Sequence, residues 1–163
     1  MKPMVLITRL TEGAVAVLLA MMTLLVAVEV FLRYVVGTSL FFSEELARFL
    51  FVWVSFLAAS LAVRSGVHVG LEFFVERLPR PVRRRLAILV QGPVLAFLAM
   101  MVITGIAMVV DSAGERSATL GVHMSWARAA VPLGGVLMFL QVLDGLARLR
   151  SGEAISAERS GVE

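Results

Sequence analysis

Two pairs of charged residues, each four positions apart, are the groups in this chain best placed to do chemistry. Glu29 precedes Arg33, and Glu44 precedes Arg48, with Glu45 beside it. Residues four apart lie on one face of a helix, and an acid placed before a base is the favourable order for an ion pair. Within a membrane such charges are costly, so they are expected to be paired or functional.

We call these five the outer charged residues, and the hypothesis is that they form one network. It would fasten the first two helices near the outer interface and extend to a partner protein. In the alternative, the arginines extend to lipid headgroups and the glutamates face water. An unpaired Glu29 that exchanges protons with a cationic drug would instead describe a small self-assembling exporter. Arg33, one turn away, argues against that second hypothesis.

The elements that position these charges are long apolar runs. Hydrophobic residues make up 60% of the 163-residue chain and its mean hydropathy is +0.93, so lipid is the expected solvent. Each crossing is expected to be a helix, because lipid offers no partners to free backbone amides. The sequence predicts an all-α polytopic membrane protein, one domain over residues 1–150, with spans at 13–36, 44–64, 86–110 and 126–147. Residues 151–163 are predicted to be a disordered cytoplasmic tail.

The distribution of basic residues predicts the orientation. Eleven of the 15 lysines and arginines fall before the first span, between the second and third, or after the fourth. By the positive-inside rule both termini and the middle loop are cytoplasmic. The net charge of +3 then reflects topology and membrane lipids, and indicates no nucleic-acid partner. The first run has no clear cleavage site, so it is interpreted as an uncleaved helix.

The middle loop has a helical pattern of its own. Leu71, Phe74, Val75 and Leu78 recur at i, i+3, i+4 and i+7. This spacing predicts a short amphipathic helix over about 69–78, lying in the cytoplasmic interface. The alternative is an irregular loop whose apolar residues cover the bundle.

Small residues in the second span predict close packing. Small side chains let transmembrane helices approach closely. The indole of Trp53 lies too deep for the membrane interface, so it is expected to pack in the bundle or against a partner. The predicted packing residues are Trp53, Ser55, Ala58, Ala59 and Ala62.

Enzyme function is not expected. No glycine-rich phosphate loop is present and the only lysine is Lys2. His68 and His123 are predicted on opposite sides of the membrane, so they cannot share a metal or haem, and the chain has no cysteine. We predict no catalytic, substrate-binding or metal-binding residue and no cofactor. The outer loops are too short to fold as a receptor domain.

Several short motifs follow one another over about residues 30–140, and none is diagnostic alone. They are Arg33-Tyr34, Phe42-Ser43-Glu44-Glu45-Leu46-Ala47-Arg48, Phe51-Val52-Trp53, Leu57-Ala58-Ala59, Arg64-Ser65-Gly66-Val67-His68, Leu78-Pro79, Met124-Ser125-Trp126 and Val131-Pro132-Leu133-Gly134. In this order, they together resemble the small permease subunit of tripartite ATP-independent periplasmic (TRAP) transporters, the DctQ-like family. Gly37 departs from the family's frequent Asn, and Ala58 from its frequent Gly.

The resemblance implies a role and partners. Such a subunit joins a large permease subunit in the bacterial inner membrane, and a periplasmic solute-binding protein delivers the solute. Uptake is driven by a sodium gradient, and the small subunit is a scaffold beside which the large subunit's transport domain moves. The solute is expected to be an organic acid, such as a C4-dicarboxylate or a sugar acid.

Overall fold

The computed structural model describes residues 2–64 and 80–151, and in this part of the chain it is all helical apart from short connections. We number the helices in chain order. They are α1 Lys2–Phe31, α2 Ser43–Arg64, α3 Arg80–Asp111, α4 Ser125–Arg128 and α5 Ala130–Ser151. The predicted interfacial helix at 69–78 lies outside the described residues, as does the tail from residue 152 onward.

Four segments are long and apolar enough to cross a membrane, so the predicted fold class is confirmed. They are Met4–Val36, Ser43–Val63, Gln91–Gly114 and Ser125–Ala147. α1 begins at Lys2, well before the predicted residue 13, so the charged residues Arg9 and Glu12 lie within the helix. α3 begins before the predicted residue 86, because arginine favours helices and Pro81 lies in the first turn, where its missing amide costs least.

Proline explains why the fourth crossing consists of two helices. Helix α4 ends at Arg128 and α5 begins at Ala130. Pro132 has no amide to donate to the carbonyl of Arg128, so the regular hydrogen-bond ladder is interrupted there. Pro93 lies inside α3.

A π-helical turn, Leu32–Val36, continues α1 to its outer end. The chain then turns at Gly37, whose φ of 77° is in the left-handed region, and the Gly37 and Thr38 amides both donate to the carbonyl of Leu32. Glycine and asparagine are the residues that most readily adopt this conformation. Glycine at position 37, where the family often has asparagine, is therefore compatible with the turn.

The long helices pack in a row. α1 packs against α2, α2 against α5, and α5 against α3. Among the described residues no other pair of these four packs to a comparable extent. Accordingly, 33% of the most apolar 18-residue stretch of the fourth crossing is buried, against 6% of the corresponding stretch of the first crossing. Helices α2 and α5 lie inside the row, and α1 and α3 lie at its two ends.

Two successive glycines allow α5 to approach both of its neighbours. A Cβ added at Gly134 would lie 2.7 Å from the Cβ of Phe56 in α2. A Cβ added at Gly135 would lie 2.9 Å from the Cγ2 of Val102 in α3. A side chain at Gly134 would push α2 and α5 apart, and one at Gly135 would displace the side chains of Met101 and Val102, so the packing of the row depends on glycine here.

Most hydroxyl groups within the spans donate hydrogen bonds to carbonyl groups of their own helix. Thr8, Thr11 and Thr23 each donate to the carbonyl four residues earlier, at 2.8–2.9 Å. Ser60, fully buried, donates to the carbonyl of Leu57 at 2.7 Å. These bonds remove the need for polar partners in lipid. Gln141 of α5 differs, because it is only 5% exposed and both atoms of its amide lack a partner among the described residues.

Candidate functional site

Polar contacts concentrate near the end of α1, the start of α2 and the loop between α3 and α4, and Glu29 is the centre of one group. Its Oε1 is 2.9 Å from Arg33 Nη2 and accepts a 2.7 Å hydrogen bond from Ser39 Oγ. Its Oε2 accepts a 2.9 Å hydrogen bond from the backbone amide of Leu40. The buried carboxylate thus ties the turn after α1 back onto α1, and both of its oxygens are engaged.

Glu45 is the centre of a second group. Its Oε2 accepts hydrogen bonds from the backbone amide of Thr119, at 3.0 Å, and from the hydroxyl of Thr119. Thr119 belongs to the loop between α3 and α4, which forms a tight turn: the amide of Ser117 donates to the carbonyl of Val122 at 2.8 Å. Glu45 therefore joins the start of α2 to a loop far away in the chain.

Arg128 of α4 holds the other side of this loop. Its Nη2 is 2.8 Å from Glu115 Oε2, and its Nη1 donates to the hydroxyl of Ser112. Nearby, the indole of Trp53 in α2 donates a 3.1 Å hydrogen bond to the carbonyl of Trp126. Residues from α2, the loop and α4 are thereby connected at one end of the row.

In the part of the chain that the structure describes, the contacts of the five outer charged residues fall into two groups and do not join all five. Glu29 and Arg33 form one group and Glu45 belongs to another. Glu44 and Arg48 are exposed, and within residues 2–64 and 80–151 neither forms an ion pair or a side-chain hydrogen bond. The spacing of Glu44 and Arg48 equals that of Glu29 and Arg33, but only the latter two are in contact.

The predicted packing residues of α2 fall on different sides of the helix. Trp53 and Ala58 are half-buried, whereas Ser55, Ala59 and Ala62 are exposed. The close approaches inside the chain are made instead by glycines of α5. Ser55, Ala59 and Ala62 are thus left on the surface of this chain.

Sequence reasoning missed the partners of the two carboxylates. Ser39 and Leu40 contact Glu29 from a turn, and Thr119 contacts Glu45 across 74 positions of sequence. A Ser or Thr near a helix end is a weak signal of such a contact, because hydroxyls at these places usually bond to their own backbone.

Histidine and acidic residues give no metal site in the part of the chain that the structure describes, where no group of three or more potential ligands is found. His123 is exposed, and its Nδ1 lies 3.0 Å from the carbonyl of Ala113. His68 lies outside the described residues.

Four apolar crossings whose charged contacts lie near the helix ends define a multi-pass helical membrane protein. The chain matches the family described as tripartite ATP-independent periplasmic transporters, DctQ component, over residues 22–152. This chain therefore belongs to the DctQ family, the small permease subunits of TRAP transporters. Members of this family are transporter subunits and not enzymes.

Individual relatives agree with this assignment. The sialic acid TRAP transporter small permease protein SiaQ of Vibrio cholerae is 29% identical over 140 residues, covering 86% of this chain and 79% of that protein. The C4-dicarboxylate small permease protein DctQ of Rhodobacter capsulatus is 35% identical, covering 69% of this chain and 52% of that protein. The sialic acid TRAP transporter permease protein SiaT of Haemophilus influenzae is 32% identical, covering 69% of this chain but 18% of that protein.

Proposed function

We propose that this chain is the static scaffold of a sodium-driven TRAP transporter and supports a large permease subunit during uptake of an organic acid. The observation that carries the proposal is the glycine-dependent packing of α5 between α2 and α3. Helices whose backbones touch cannot slide past one another without opening the core, so the row is suited to remain a fixed body.

The outer contacts support the same role. Glu29 fixes the first outer turn, while Glu45 and Arg128 fix the second outer loop. Both connections are therefore attached to helices of the row. A scaffold needs such fixed outer ends if a neighbouring domain is to move against it.

The large permease subunit is the proposed partner. The match to SiaT of Haemophilus influenzae covers only 18% of that protein, so a segment like this chain there forms part of a much longer permease polypeptide. A segment joined covalently to a permease in one relative supports association with a separate large permease here.

The proposed solute is an organic acid brought by a periplasmic solute-binding protein. The names of the relatives specify sialic acid and C4-dicarboxylates, which are both organic acids. The connections at 37–42 and 112–124 are too short to form a receptor domain, so delivery is assigned to a separate protein.

We place the chain in the bacterial inner membrane with both termini in the cytoplasm, on the distribution of its arginines. Fusing alkaline phosphatase to residue 41 or to residue 119 should give an active enzyme, because it folds only outside the cytoplasm. Fusions at the C-terminus should be inactive. The opposite pattern would overturn the orientation.

Reconstitution in liposomes tests the function. The chain together with the large permease and the binding protein should accumulate an organic acid only when sodium is higher outside. The chain alone should accumulate nothing. Transport by the chain alone would contradict the scaffold role. The exporter hypothesis is not favoured, because the chain belongs to the family of TRAP small permease subunits. In addition, both carboxylate oxygens of Glu29 already accept hydrogen bonds.

A further inference from the structure

The exposed residues of α2 form one continuous stripe. Glu44, Arg48, Phe51, Ser55 and Ala59 are exposed, and they follow one another at intervals of three or four residues. At 3.6 residues per turn these positions share one side of the helix. Helices α1 and α5 pack against other sides of α2. One face of α2, which we call the α2 face, is therefore open along the length of the crossing.

The outer end of the α2 face carries charge that this chain does not neutralise. Arg33 and Arg128, two other arginines near the outer ends of helices, are 2.9 Å and 2.8 Å from glutamate oxygens. Arg48 has no acidic partner in the described part of the chain, although it lies inside the apolar span Ser43–Val63. It is roughly 8 Å along the helix from Ser43. A guanidinium at such a depth needs a carboxylate or a lipid headgroup as its partner.

Further into the membrane the α2 face is lined by small residues. The exposed residues of α3 include the large apolar Phe97, Met100 and Ile103, beside the small Ala96. The α2 face has Ser55 and Ala59 in the half of the span Ser43–Val63 that ends at Val63. Small residues offer no advantage against lipid tails, but they let the backbone of another helix approach closely.

We propose that the α2 face docks a transmembrane helix of the large permease subunit. That helix carries a carboxylate that pairs with Arg48 and packs its backbone against Ser55 and Ala59. The proposal rests on the proposed function, and it adds the surface by which the two subunits meet.

Photocrosslinking tests the surface without altering its charge. Phe51 on the α2 face is 59% exposed and Phe97 on α3 is 66% exposed, so they form a matched pair. A photoreactive phenylalanine analogue is introduced at either position in the tagged chain, in membranes of the native host. Crosslinks to the large permease, identified by its peptides, are expected from Phe51 and not from Phe97. Equal crosslinking, or crosslinks to lipid alone from Phe51, would overturn the proposal.

A second pair of variants tests the close approach. Ala59→Leu enlarges the α2 face, and Ala96→Leu makes the same change at an exposed position of α3. Ala59 and Ala96 both lie near the cytoplasmic end of their apolar spans, Ser43–Val63 and Gln91–Gly114. Ala59→Leu should reduce recovery of the large permease with the tagged chain roughly tenfold, because overpacking a helix contact is costly. Ala96→Leu should leave recovery unchanged. Arg48→Gln should also reduce recovery, through the lost ion pair.

The outcomes separate the two claims. If the unaltered chain recovers no large permease, the proposed function fails. If it recovers the permease and the Ala59, Ala96 and Arg48 variants do so equally well, the proposed function stands and the docking surface is wrong. Size-exclusion profiles of the variant chains show whether each one has folded.

Discussion

At the scale of single residues, adjacent carboxylates of α2 have different surroundings. Glu45 accepts two hydrogen bonds from Thr119, whereas the exposed Glu44 accepts none within the described residues. The pair therefore allows the contribution of one contact to be measured against an internal control, because replacing either residue by Ala changes helix propensity equally.

We predict that Glu45→Ala loosens the loop between α3 and α4. The Thr119 amide and hydroxyl lose their acceptor, so the loop should open more often. Trypsin should then cleave faster after Arg116, which is exposed in that loop, and the Tm should fall. Glu44→Ala should change neither quantity. Equal cleavage rates in the two variants would show that Glu45 does not hold the loop.

Replacing Gln141 is expected to stabilise the chain, whereas replacing Glu45 is expected to destabilise it. Its amide is buried in α5 and unpartnered in the described part of the chain, and a polar group in that state costs stability. Gln141→Leu should therefore raise the free energy of unfolding in mild detergent by about 1–3 kcal/mol. Denaturation with SDS measures this change. A less stable variant would mean that the amide is held by a partner, such as a water molecule.

At the scale of helices, the glycines of α5 determine how closely it packs. A Cβ at Gly134 would contact the Cβ of Phe56 at 2.7 Å, whereas one at Gly145 of the same helix would meet nothing within 4 Å. We predict that Gly134→Ala destabilises the chain by about 1–3 kcal/mol, because Phe56 cannot move its Cβ without moving α2. Gly145→Ala should be neutral or stabilising by up to about 1 kcal/mol, since Ala restricts the unfolded chain. Thermal unfolding in detergent distinguishes the two, and a stabilised Gly134→Ala variant would contradict the packing.

The sequence predicts the helices better than their arrangement. Hydropathy and length identify four crossings, because lipid forces every apolar run into a helix. The i, i+4 spacing places Glu29 beside Arg33 because that contact is local. Neither signal identifies neighbours in space, because a helix surrounded by lipid needs no polar face. The position of α5 between α2 and α3 and the contact of Glu45 with Thr119 therefore required the structure.

At the scale of the whole molecule, the row has unequal ends. Among the described helices, α1 packs extensively only against α2, whereas α3, at the other end of the row, packs against α5 and also contacts the short helix α4. The hydrogen bonds that Glu29 accepts from Ser39 and Leu40 link α1 to its own following turn. The row is therefore expected to be less stable at α1 than in the unit formed by α2, α5 and α3.

We predict that α1 separates first when the chain unfolds in SDS. The chain has no cysteine, so pairs of dyes can be placed at introduced cysteines without background labelling. Energy transfer between labels on Ala20 of α1 and Ser55 of α2 should be lost at lower SDS than transfer between Ala96 of α3 and Leu140 of α5. All four positions are exposed, so the labels disturb little packing. Coincident transitions for the two pairs would show that α1 unfolds together with the rest of the row, and that its single packing partner suffices for full cooperativity.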